Sequence, residues 1–347
     1  MRLTELRIAG LALAALLGAC ASWTDGSDRG DASPAATATL LHADHPLAGR
    51  IWRPAEGRFA TAGEIYASLK KAELVLLGEK HDNPDHHRIQ ALLLREMATV
   101  RRRPAVVFEM LTTGQQAPLD RYLAGAGDAA GLGAAVGWAE SGWPDWSIYR
   151  PIAEIALAAD MPVLAGGLER DVSRAVSKGG VDALGPGRAA ALRIDQPLPE
   201  DMRAAMRAEV HDSHCGVLPD SMLDPMVAVT LAKDATMAEK LVESAASSGR
   251  DSAVLIAGNG HVRADFGVPW HLRRLAAGSR GLSIGMIEVV AGETDPAGYV
   301  DQVDGRFAYD FVWFTGRVDD DDPCAAYADQ LQHLKERAPA PVESGGN

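Results

Sequence analysis

Positive charge and cysteine are both scarce in this sequence of 347 residues. Lysine and arginine together number 34 against 47 aspartates and glutamates, which gives a formal net charge of −13. A chain with this excess of negative charge is unsuited to binding nucleic acid or anionic lipid surfaces, so we expect neither as a partner. Of the three cysteines, Cys215 and Cys324 either pair in an oxidising compartment or stay free thiols.

Common motifs of nucleotide and zinc sites are also missing. The sequence has no Walker A motif and no H-E-x-x-H zinc helix. The stretch GNGHVR begins like a dinucleotide-binding loop, but Arg263 stands where the third glycine of that fingerprint belongs. No internal repeat and no coiled coil is evident. The function must therefore be sought in side chains that the fold brings together.

The N-terminal residues predict a targeting segment. Arg2 and Arg7 form a basic segment that precedes an apolar run at 8–17. This run is too short to span a bilayer comfortably. The following letters, LGAC, resemble a bacterial lipobox, so we expect residues 1–19 to be a cleaved lipoprotein signal peptide and Cys20 to be lipidated. An ordinary signal peptide or a signal anchor is the alternative. An alanine after the cysteine favours the outer membrane over the inner one.

Composition separates a folded part from two flexible ends. Residues 20–39 are rich in Asp, Gly, Ser, Ala, Pro and Thr and predict a flexible tether. Residues 335–347 have the same character and predict a disordered tail. Residues 40–334 suit one large domain, or one domain that carries a smaller subdomain. We expect a protein of the bacterial cell envelope that acyl chains hold at the membrane.

Short apolar runs alternate with helical patterns across the folded part. This alternation indicates an α/β fold with a mostly parallel sheet flanked by helices. The predicted strands are residues 50–52, 74–77, 105–110, 162–165, 253–257, 282–290 and 308–314. The predicted helices include residues 63–71, 148–159, 200–211 and 226–245. Residues of about 170–226 lack clear strands, so we expect a smaller helical subdomain there.

Polar side chains stand at the ends of three predicted strands. Glu79 and His81 follow one strand, Glu109 ends the next, and His261 follows a third. In an open parallel sheet, ligands bind beyond the carboxyl ends of the strands. We therefore expect these four side chains to converge on one crest of the sheet, which would form a polar site.

Some of these polar groups allow a simpler interpretation. Glu109 is costly to bury unless it is paired, and a salt bridge to Lys80 or Arg263 would satisfy it. His86 and His87 lie in the first turn of a predicted helix, where a cation is unfavourable, so we expect neutral imidazoles. At least one of them would face the crest, unless the pair faces solvent.

Taken together, these segments resemble a known protein family. LLGEKHDNPDHHRIQ at 76–90, the strand-end Glu109 and GNGH at 258–261 look like the ChaN-like haem-binding lipoproteins. That family is grouped with the Tiki, TraB and erythromycin-esterase proteins. The resemblance covers roughly residues 50–290 and implies an α/β sheet with a small helical subdomain, haem binding, and haem or iron acquisition at the outer membrane. It also implies a homodimer that can sandwich haem with tyrosine ligation, and an outer-membrane haem receptor as a partner.

Haem requires an axial ligand and an apolar, partly aromatic slot. The segment 137–151 concentrates three of the seven tryptophans and a tyrosine. We expect Tyr149 to ligate the iron, Trp146 to belong to an exposed aromatic patch that grips the porphyrin, and Arg150 to meet a propionate. The alternative is that the aromatic residues are core and that Arg150 is solvated. The strand-end residues would frame the pocket: Glu79, His81, Glu109 and His261.

A second cluster of possible ligands lies outside the strand ends. His211, His214 and Cys215 fall within five residues, and a helix would place the two histidines on one face. These side chains could ligate haem iron or bind zinc or copper. A hydrogen-bonded surface cluster is the alternative.

The strand-end residues also allow a different class of function. Glu79, His81, Glu109 and His261 could form a hydrolase site, in which a divalent metal activates water or a His–Glu pair acts alone. The resemblance to Tiki and erythromycin-esterase proteins implies this interpretation. The lipoprotein signal, the aromatic segment and the closer match to ChaN-like proteins favour haem binding.

Overall fold

The computed structural model describes residues 40–99, 103–247 and 252–326. The predicted signal peptide, the lipidation site Cys20, the predicted tether and the predicted tail lie outside these residues and stay predictions. Within the described part of the chain, no helix is both long enough and apolar enough to cross a membrane.

The described elements follow the predicted alternation of strands and helices. The strands are β1 (Ile51–Arg53), β2 (Arg58–Ala60), β3 (Leu74–Glu79), β4 (Ala105–Thr112), β5 (Val163–Gly167), β6 (Ala253–Gly258), β7 (Gly281–Glu288), β8 (Gln302–Val303), β9 (Arg306–Phe307) and β10 (Phe311–Thr315). The helices are α1 (Ala62–Leu69), α2 (Pro84–Thr99), α3 (Gln116–Ala124), α4 (Ala129–Ala135), α5 (Trp146–Ala158), α6 (Arg170–Gly179), α7 (Arg188–Ala191), α8 (Glu200–Ser213), α9 (Asp220–Ala246), α10 (Asn259–Val262), α11 (Val268–Leu275) and α12 (Pro323–Ala326). Each predicted strand is present, with bounds within three residues of those expected.

Eight of the described strands form one sheet in the order β2-β1-β10-β7-β3-β6-β4-β5. The six strands from β10 to β5 run parallel to their neighbours, whereas β1 and β2 pair antiparallel at one edge. β8 and β9 form a separate two-stranded ribbon. The predicted fold class, α/β with a mostly parallel sheet flanked by helices, is confirmed.

The central strand β3 packs against helices on both faces of the sheet. Val75 and Leu77 join an apolar cluster that includes residues of α2 and α5, whereas Leu74 and Leu76 join a cluster with residues of α9 and α11. All four side chains are buried. Because side chains alternate between the two faces of a strand, a strand that is covered on both faces must be apolar throughout. This requirement explains the continuous apolar run that precedes Glu79.

The described residues from Arg170 to Ala246 form helices and contain no strand. Two further apolar clusters lie in this part, one around Val176 and Leu192 and another around Met206 and Leu218. The helical subdomain predicted at about 170–226 falls within this stretch, and its status as a separate subdomain stays a prediction. A disulfide joins Cys215, in the loop between α8 and α9, to Cys324 in α12, 109 residues further along the chain. Of the two expected states of these cysteines, the structure has the paired one.

Candidate functional site

Three neighbouring strands of the sheet end in polar side chains that meet at one crest. β3, β6 and β4 are neighbours, and the register pairs Glu79 of β3 with Gly258 of β6. The backbone N–H of Gly258 donates to Glu109 Oε2 at 2.9 Å. The structure thus brings together the side chains that the sequence places at separate strand ends, including His81 and His261. We call these residues the strand-end crest.

Glu79 is the centre of the first cluster, and its carboxylate is fully buried. Its Oε1 lies 2.8 Å from His81 Nδ1 and accepts from the hydroxyl of Tyr149 at 3.0 Å. Its Oε2 accepts from the amide of Gln90 at 2.8 Å and lies 3.0 Å from His87 Nδ1. Burial alone would raise the pKa of Glu79, but the two histidines outweigh it and hold the pKa well below its usual range. Glu79 is therefore ionised.

His87 is a buried imidazolium. Its Nε2 lies 3.0 Å from the carbonyl oxygen of His81, and because a carbonyl oxygen only accepts, Nε2 carries a hydrogen. Its Nδ1 faces two further acceptors, Glu79 Oε2 at 3.0 Å and Gln90 Oε1 at 3.1 Å, so it carries a hydrogen as well. Burial opposes this charge, but Glu79 outweighs burial and raises the pKa of His87.

The neighbouring His86 is neutral. Its Nδ1 accepts from the backbone N–H of Lys80 at 2.8 Å, and its Nε2 lies 2.8 Å from the hydroxyl of Thr315. Burial, reinforced by the charge of His87, lowers the pKa of His86 to about 3. The expectation of neutral imidazoles is correct for His86 and wrong for His87, because the carboxylate of Glu79 outweighs the helix dipole there. Neither ring faces solvent, since both are buried.

The second cluster places His261 between two carboxyl groups. Its Nε2 lies 3.1 Å from Glu109 Oε1, and its Nδ1 lies 2.5 Å from Asp234 Oδ1. Burial would lower the pKa of His261, but the two acidic neighbours raise it to about 10. Both ring nitrogens are therefore engaged, and His261 does not offer the free base that the hydrolase interpretation asks of it.

The partners of Glu109 differ from those that the sequence suggested. Lys80 and Arg263 pair with other carboxylates, so neither of the expected salt bridges to Glu109 forms. His261 takes that place, with Lys233 Nζ at 3.9 Å. Burial would raise the pKa of Glu109, but His261 outweighs it and the pKa lies below its usual range.

Asp234 is the residue of this cluster that sequence reasoning missed. It is fully buried on α9, and its Oδ2 has no hydrogen-bond partner among the described residues. Burial raises the pKa of Asp234 in spite of the neighbouring His261. The available signal was an acidic residue, between Lys233 and Ala235, in the middle of a long helix, since an acidic side chain is costly to bury there without a partner.

Gly258 and the amide side chain of Asn259 allow the strand ends to approach closely. Asn259 bonds both ways to the backbone of Met286 on β7, with its amide donating to the carbonyl at 2.6 Å and its oxygen accepting from the N–H at 3.2 Å. A Cβ added to Gly258 would lie 3.0 Å from His81 Nε2. The ring of His81 therefore packs closely against the backbone of Gly258, where a larger residue would press on it.

A cleft of about 680 Å³ lies next to the crest. Glu109, Lys233 and Trp143 line it, and the ring centroid of Trp143 lies 4.6 Å from that of His81. Apolar and cationic side chains also line the cleft: Met110, Leu168, Val229, Met237, Arg170 and Arg174. A neighbouring cleft of about 400 Å³ contains His261 and His214. Four acidic side chains line the same cleft: Glu109, Glu140, Glu169 and Asp171.

The aromatic segment packs largely against the apolar core, and its predicted contact with a porphyrin stays a prediction. Trp146 is half-buried on α5 against Gly133, and its indole N–H donates to the carbonyl of Ala129 at 2.8 Å. Tyr149 is fully buried in the apolar core between α5 and the sheet, where its hydroxyl donates a hydrogen bond to the carboxylate of Glu79. Burial and this carboxylate raise the pKa of Tyr149 far above its usual value. Its predicted role as an iron ligand stays a prediction.

The remaining predicted ligands are not part of the crest. Arg150 is exposed and pairs with Glu154 one turn along α5, as a solvated arginine would. Cys215 is in the disulfide, so it is not a thiolate ligand. His211 is exposed and bonds to the adjacent Asp212. Within the described ranges, no group of three or more His, Cys, Asp or Glu side chains is arranged to hold a metal ion.

His214 is the one member of that cluster which lines a cleft. Its Nδ1 lies 2.7 Å from the carbonyl oxygen of Val210, and the ring borders the 400 Å³ cleft beside His261. Its role as an iron ligand stays a prediction.

Comparisons with known proteins agree with this architecture. The ChaN protein of Campylobacter jejuni, whose structure shows cofacial heme binding, matches with a TM-score of 0.57 and 20% identity, over 76% of this chain and 95% of that chain. The type III effector HopBA1 matches with a TM-score of 0.41 and 12% identity, over 73% of this chain and 92% of that chain. Erythromycin esterase EreC matches with a TM-score of 0.35 and 12% identity, over 65% and 72%. At these identities, the ChaN likeness supports the fold.

A family model gives the stronger result. The model is described as haem-binding uptake, Tiki superfamily, ChaN, and it matches residues 65–272, more than half of the chain. Among curated proteins, no sequence matches this chain. The hydrolase alternative is not favoured by these results. The chain therefore belongs to the ChaN family of haem-binding uptake proteins in the Tiki superfamily.

Proposed function

We propose that this chain binds haem in the cleft beside the strand-end crest. The observation that carries the proposal is the family match over residues 65–272, a span that contains every residue lining the cleft. A volume of about 680 Å³ also falls within the range of about 300–1,000 Å³ that is usual for small-molecule sites.

The lining of the cleft suits the chemistry of haem. Trp143 and the apolar side chains, such as Met110, Val229 and Met237, would cover the porphyrin, which is flat and apolar. The cationic side chains of the cleft would meet the two propionates. Bound haem would supply an iron centre with axial positions open to protein ligands.

A haemin titration tests the proposal directly. We expect the purified protein to shift and sharpen the Soret band of ferric haemin and to saturate at a defined stoichiometry. A spectrum that remains that of free haemin at every protein concentration would overturn haem binding.

Two exposed arginines provide a matched pair of variants. Arg174 lines the cleft and pairs with Asp171 three residues away, whereas Arg150 lies on α5 and pairs with Glu154 four residues away. An exposed charge contact is worth about 0.2–1 kcal/mol, so Arg174→Ala should weaken haemin binding roughly 1.4- to 5-fold. Arg150→Ala should leave it unchanged. Equal affinities of the two variants for haemin would contradict the proposal that a haem propionate binds in this cleft.

We further propose that the protein acts in haem or iron acquisition as a lipoprotein of the outer membrane. The motivation is the lipobox at Cys20 together with the uptake function that describes the family. Cys20→Ser should abolish incorporation of labelled palmitate and release the protein from the membrane fraction. Unchanged labelling would contradict the anchor.

The family likeness also motivates a homodimer that encloses haem between subunits, and an outer-membrane haem receptor as a partner. Size-exclusion chromatography with light scattering, with and without haemin, tests the dimer. A monomer under both conditions would refute it. A pull-down of haem-loaded protein from solubilised outer membranes tests the receptor, and an equal yield from haem-free protein would refute it.

A further inference from the structure

A separate cleft lies at the opposite end of the sheet from the strand-end crest. Its volume is about 400 Å³, which is within the usual range for small-molecule sites. The first residues of β7, at 281–283, line this cleft, whereas the crest lies beyond the carboxyl ends of the strands. Residues of α11 and β9 line its other sides. We call it the amino-end cleft, and it shares no lining residue with the cleft beside the crest.

The turn before β9 determines where Arg306 lies. Asp304 and Gly305 join β8 to β9, and both have positive φ, at 50° and 70°. A two-residue hairpin turn with positive φ at both positions is of type I′, which matches the twist of the flanking strands. Arg306 pairs with Val303 directly across this turn. The tight hairpin therefore places Arg306 and Phe307 in the wall of the amino-end cleft.

Arg273 reaches the same cleft from the last turn of α11. Its Nη1 donates to the carbonyl oxygen of Ala264 at 2.9 Å, which restricts the movement of a long side chain. Within the described ranges, neither Arg273 nor Arg306 forms a salt bridge, whereas Arg280, just before β7, pairs with Glu73. The two guanidinium groups that line the cleft are thus available to an anionic ligand.

The charges around the amino-end cleft favour an anion. Burial and the charge of Arg306 lower the pKa of Arg273 in spite of Asp265 and Asp310, so the two arginines are close enough to repel each other. Asp310 is the one acidic residue that lines the cleft, and its Oδ2 accepts from the backbone N–H of Ser283 at 2.8 Å. The lining therefore has an excess of positive charge in a chain whose net charge is −13. An anion between the two arginines would relieve their repulsion.

Apolar side chains form much of the remaining lining. They come from α11, β7 and β9 and are Pro269, Leu272, Leu282 and Phe307. Ser279 adds a hydroxyl group to the same lining. A mostly apolar wall with a few charged and polar groups is typical of a small-molecule site. A ligand that matches this lining would combine one anionic group with an apolar body.

We propose that the amino-end cleft binds a small organic anion, with its carboxylate or phosphate group between Arg273 and Arg306 and its apolar part against Leu272 and Phe307. A guanidinium group can bind either kind of anion through two parallel hydrogen bonds, so the arginine pair recognises chemistry that both share. The site is independent of the haem proposed for the cleft beside the crest, because the two clefts lie at opposite ends of the sheet.

Isothermal titration calorimetry of the full-length protein at low ionic strength tests this site with two probes, benzoate and phenyl phosphate. We expect at least one probe to bind saturably with one site per chain, and the tighter of the two identifies the preferred anionic group. Arg273→Ala and Arg306→Ala should each weaken that binding roughly fivefold to tenfold. Arg280→Ala is the matched control and should leave the affinity unchanged, because Arg280 pairs with Glu73 and does not line the cleft.

Three results would overturn the proposal. One is the failure of both probes to bind saturably to the wild-type protein. Another is an equal loss of affinity in all three arginine variants, because that result would indicate a general effect of net charge. The third is displacement of the probes by haemin, which would place them in the cleft beside the crest. We expect instead that the probes bind equally well in the presence and absence of haemin.

Two further comparisons separate recognition of the ligand from an effect on folding. Arg306→Lys keeps the charge but lacks the planar fork of donors, so its affinity should lie between those of the wild type and Arg306→Ala. Acetate and inorganic phosphate lack the apolar part and should bind more weakly than benzoate and phenyl phosphate. Equal affinities would contradict the contact with Leu272 and Phe307. The three substituted arginines are exposed, and circular dichroism establishes that each variant is folded.

Discussion

The substitution Gly78→Ala should destabilise the protein through steric clashes with two neighbours behind the crest. A Cβ on Gly78 would lie 2.7 Å from Val262 Cγ2 and still closer to Asn259 Oδ1. Both neighbours are fixed, because Val262 is buried in the core and Asn259 is bonded to the backbone of β7. Backbone strain plays no part, since Gly78 is not among the residues with positive φ.

The expected loss follows from the rigidity of this contact. Forcing one extra methyl group into a packed interior costs about 1–3 kcal/mol, and displacement of Asn259 would weaken two hydrogen bonds in addition. For a domain of this size, such a loss lowers the melting temperature by about 3–10 °C. Thermal unfolding followed by circular dichroism measures this shift.

Gly281→Ala is the matched control for this experiment. Gly281 begins β7 in the same sheet, is exposed, and has nothing within 4 Å of an added Cβ. Its alanine variant should melt within about 1 °C of the wild type or slightly above it, because alanine restricts the unfolded chain. Equal melting temperatures for the two variants would refute the claim that the crest depends on glycine packing at position 78.

Three further predictions concern other parts of the molecule. Gly258→Ala should lower the melting temperature, since its methyl group would lie 3.0 Å from His81 Nε2 and force that ring to shift; an unchanged melting temperature in thermal unfolding would contradict that. Burial beside two arginines lowers the pKa of His271 to about 3. The contribution of the neutral His271 to the free energy of unfolding should therefore be complete above pH 6.5 and decline as the pH falls towards 3. In urea titrations, the free energy of unfolding of His271→Leu should fall by about 2 kcal/mol less than that of the wild type between pH 7.5 and 5. Equal falls in the two proteins would contradict this role of His271. The paired variant Cys215→Ser and Cys324→Ser should lower the free energy of unfolding by about 2–4 kcal/mol, and a value near zero would deny the disulfide a stabilising role.

Strand positions and their polar ends could be predicted from the sequence because both follow from burial. A strand that is covered on two faces must be apolar, so Glu79 and Glu109 stand out as soon as they end such runs. Parallel neighbours then place the ends of β3, β4 and β6 together. The same argument does not identify Asp234, because this residue lies within a helix rather than at a strand end. Its partner His261 lies 27 residues further along the chain.

The aromatic segment shows a different limit of sequence reasoning. Trp138, Trp146 and Tyr149 could either grip a ligand or fill a core, since both roles require large apolar surfaces. Only the position of α5 against the sheet settles which applies, because it points Tyr149 towards Glu79, 70 residues earlier in the chain. Trp143 is the member of the segment that lines the cleft.

Four histidines in and beside the crest show that residue type alone does not determine chemistry at this site. His86 and His87 are adjacent in one helix turn, yet one is neutral and the other is charged, because one meets a backbone N–H and the other a carboxylate. His261 is held as a cation between two acidic groups that come from a strand and a helix. His81 contacts Glu79 through Nδ1. His81, His86 and His87 meet partners within their own motif, whereas the partners of His261 are distant in the chain, so the charge of each imidazole follows from the group that the fold places against it.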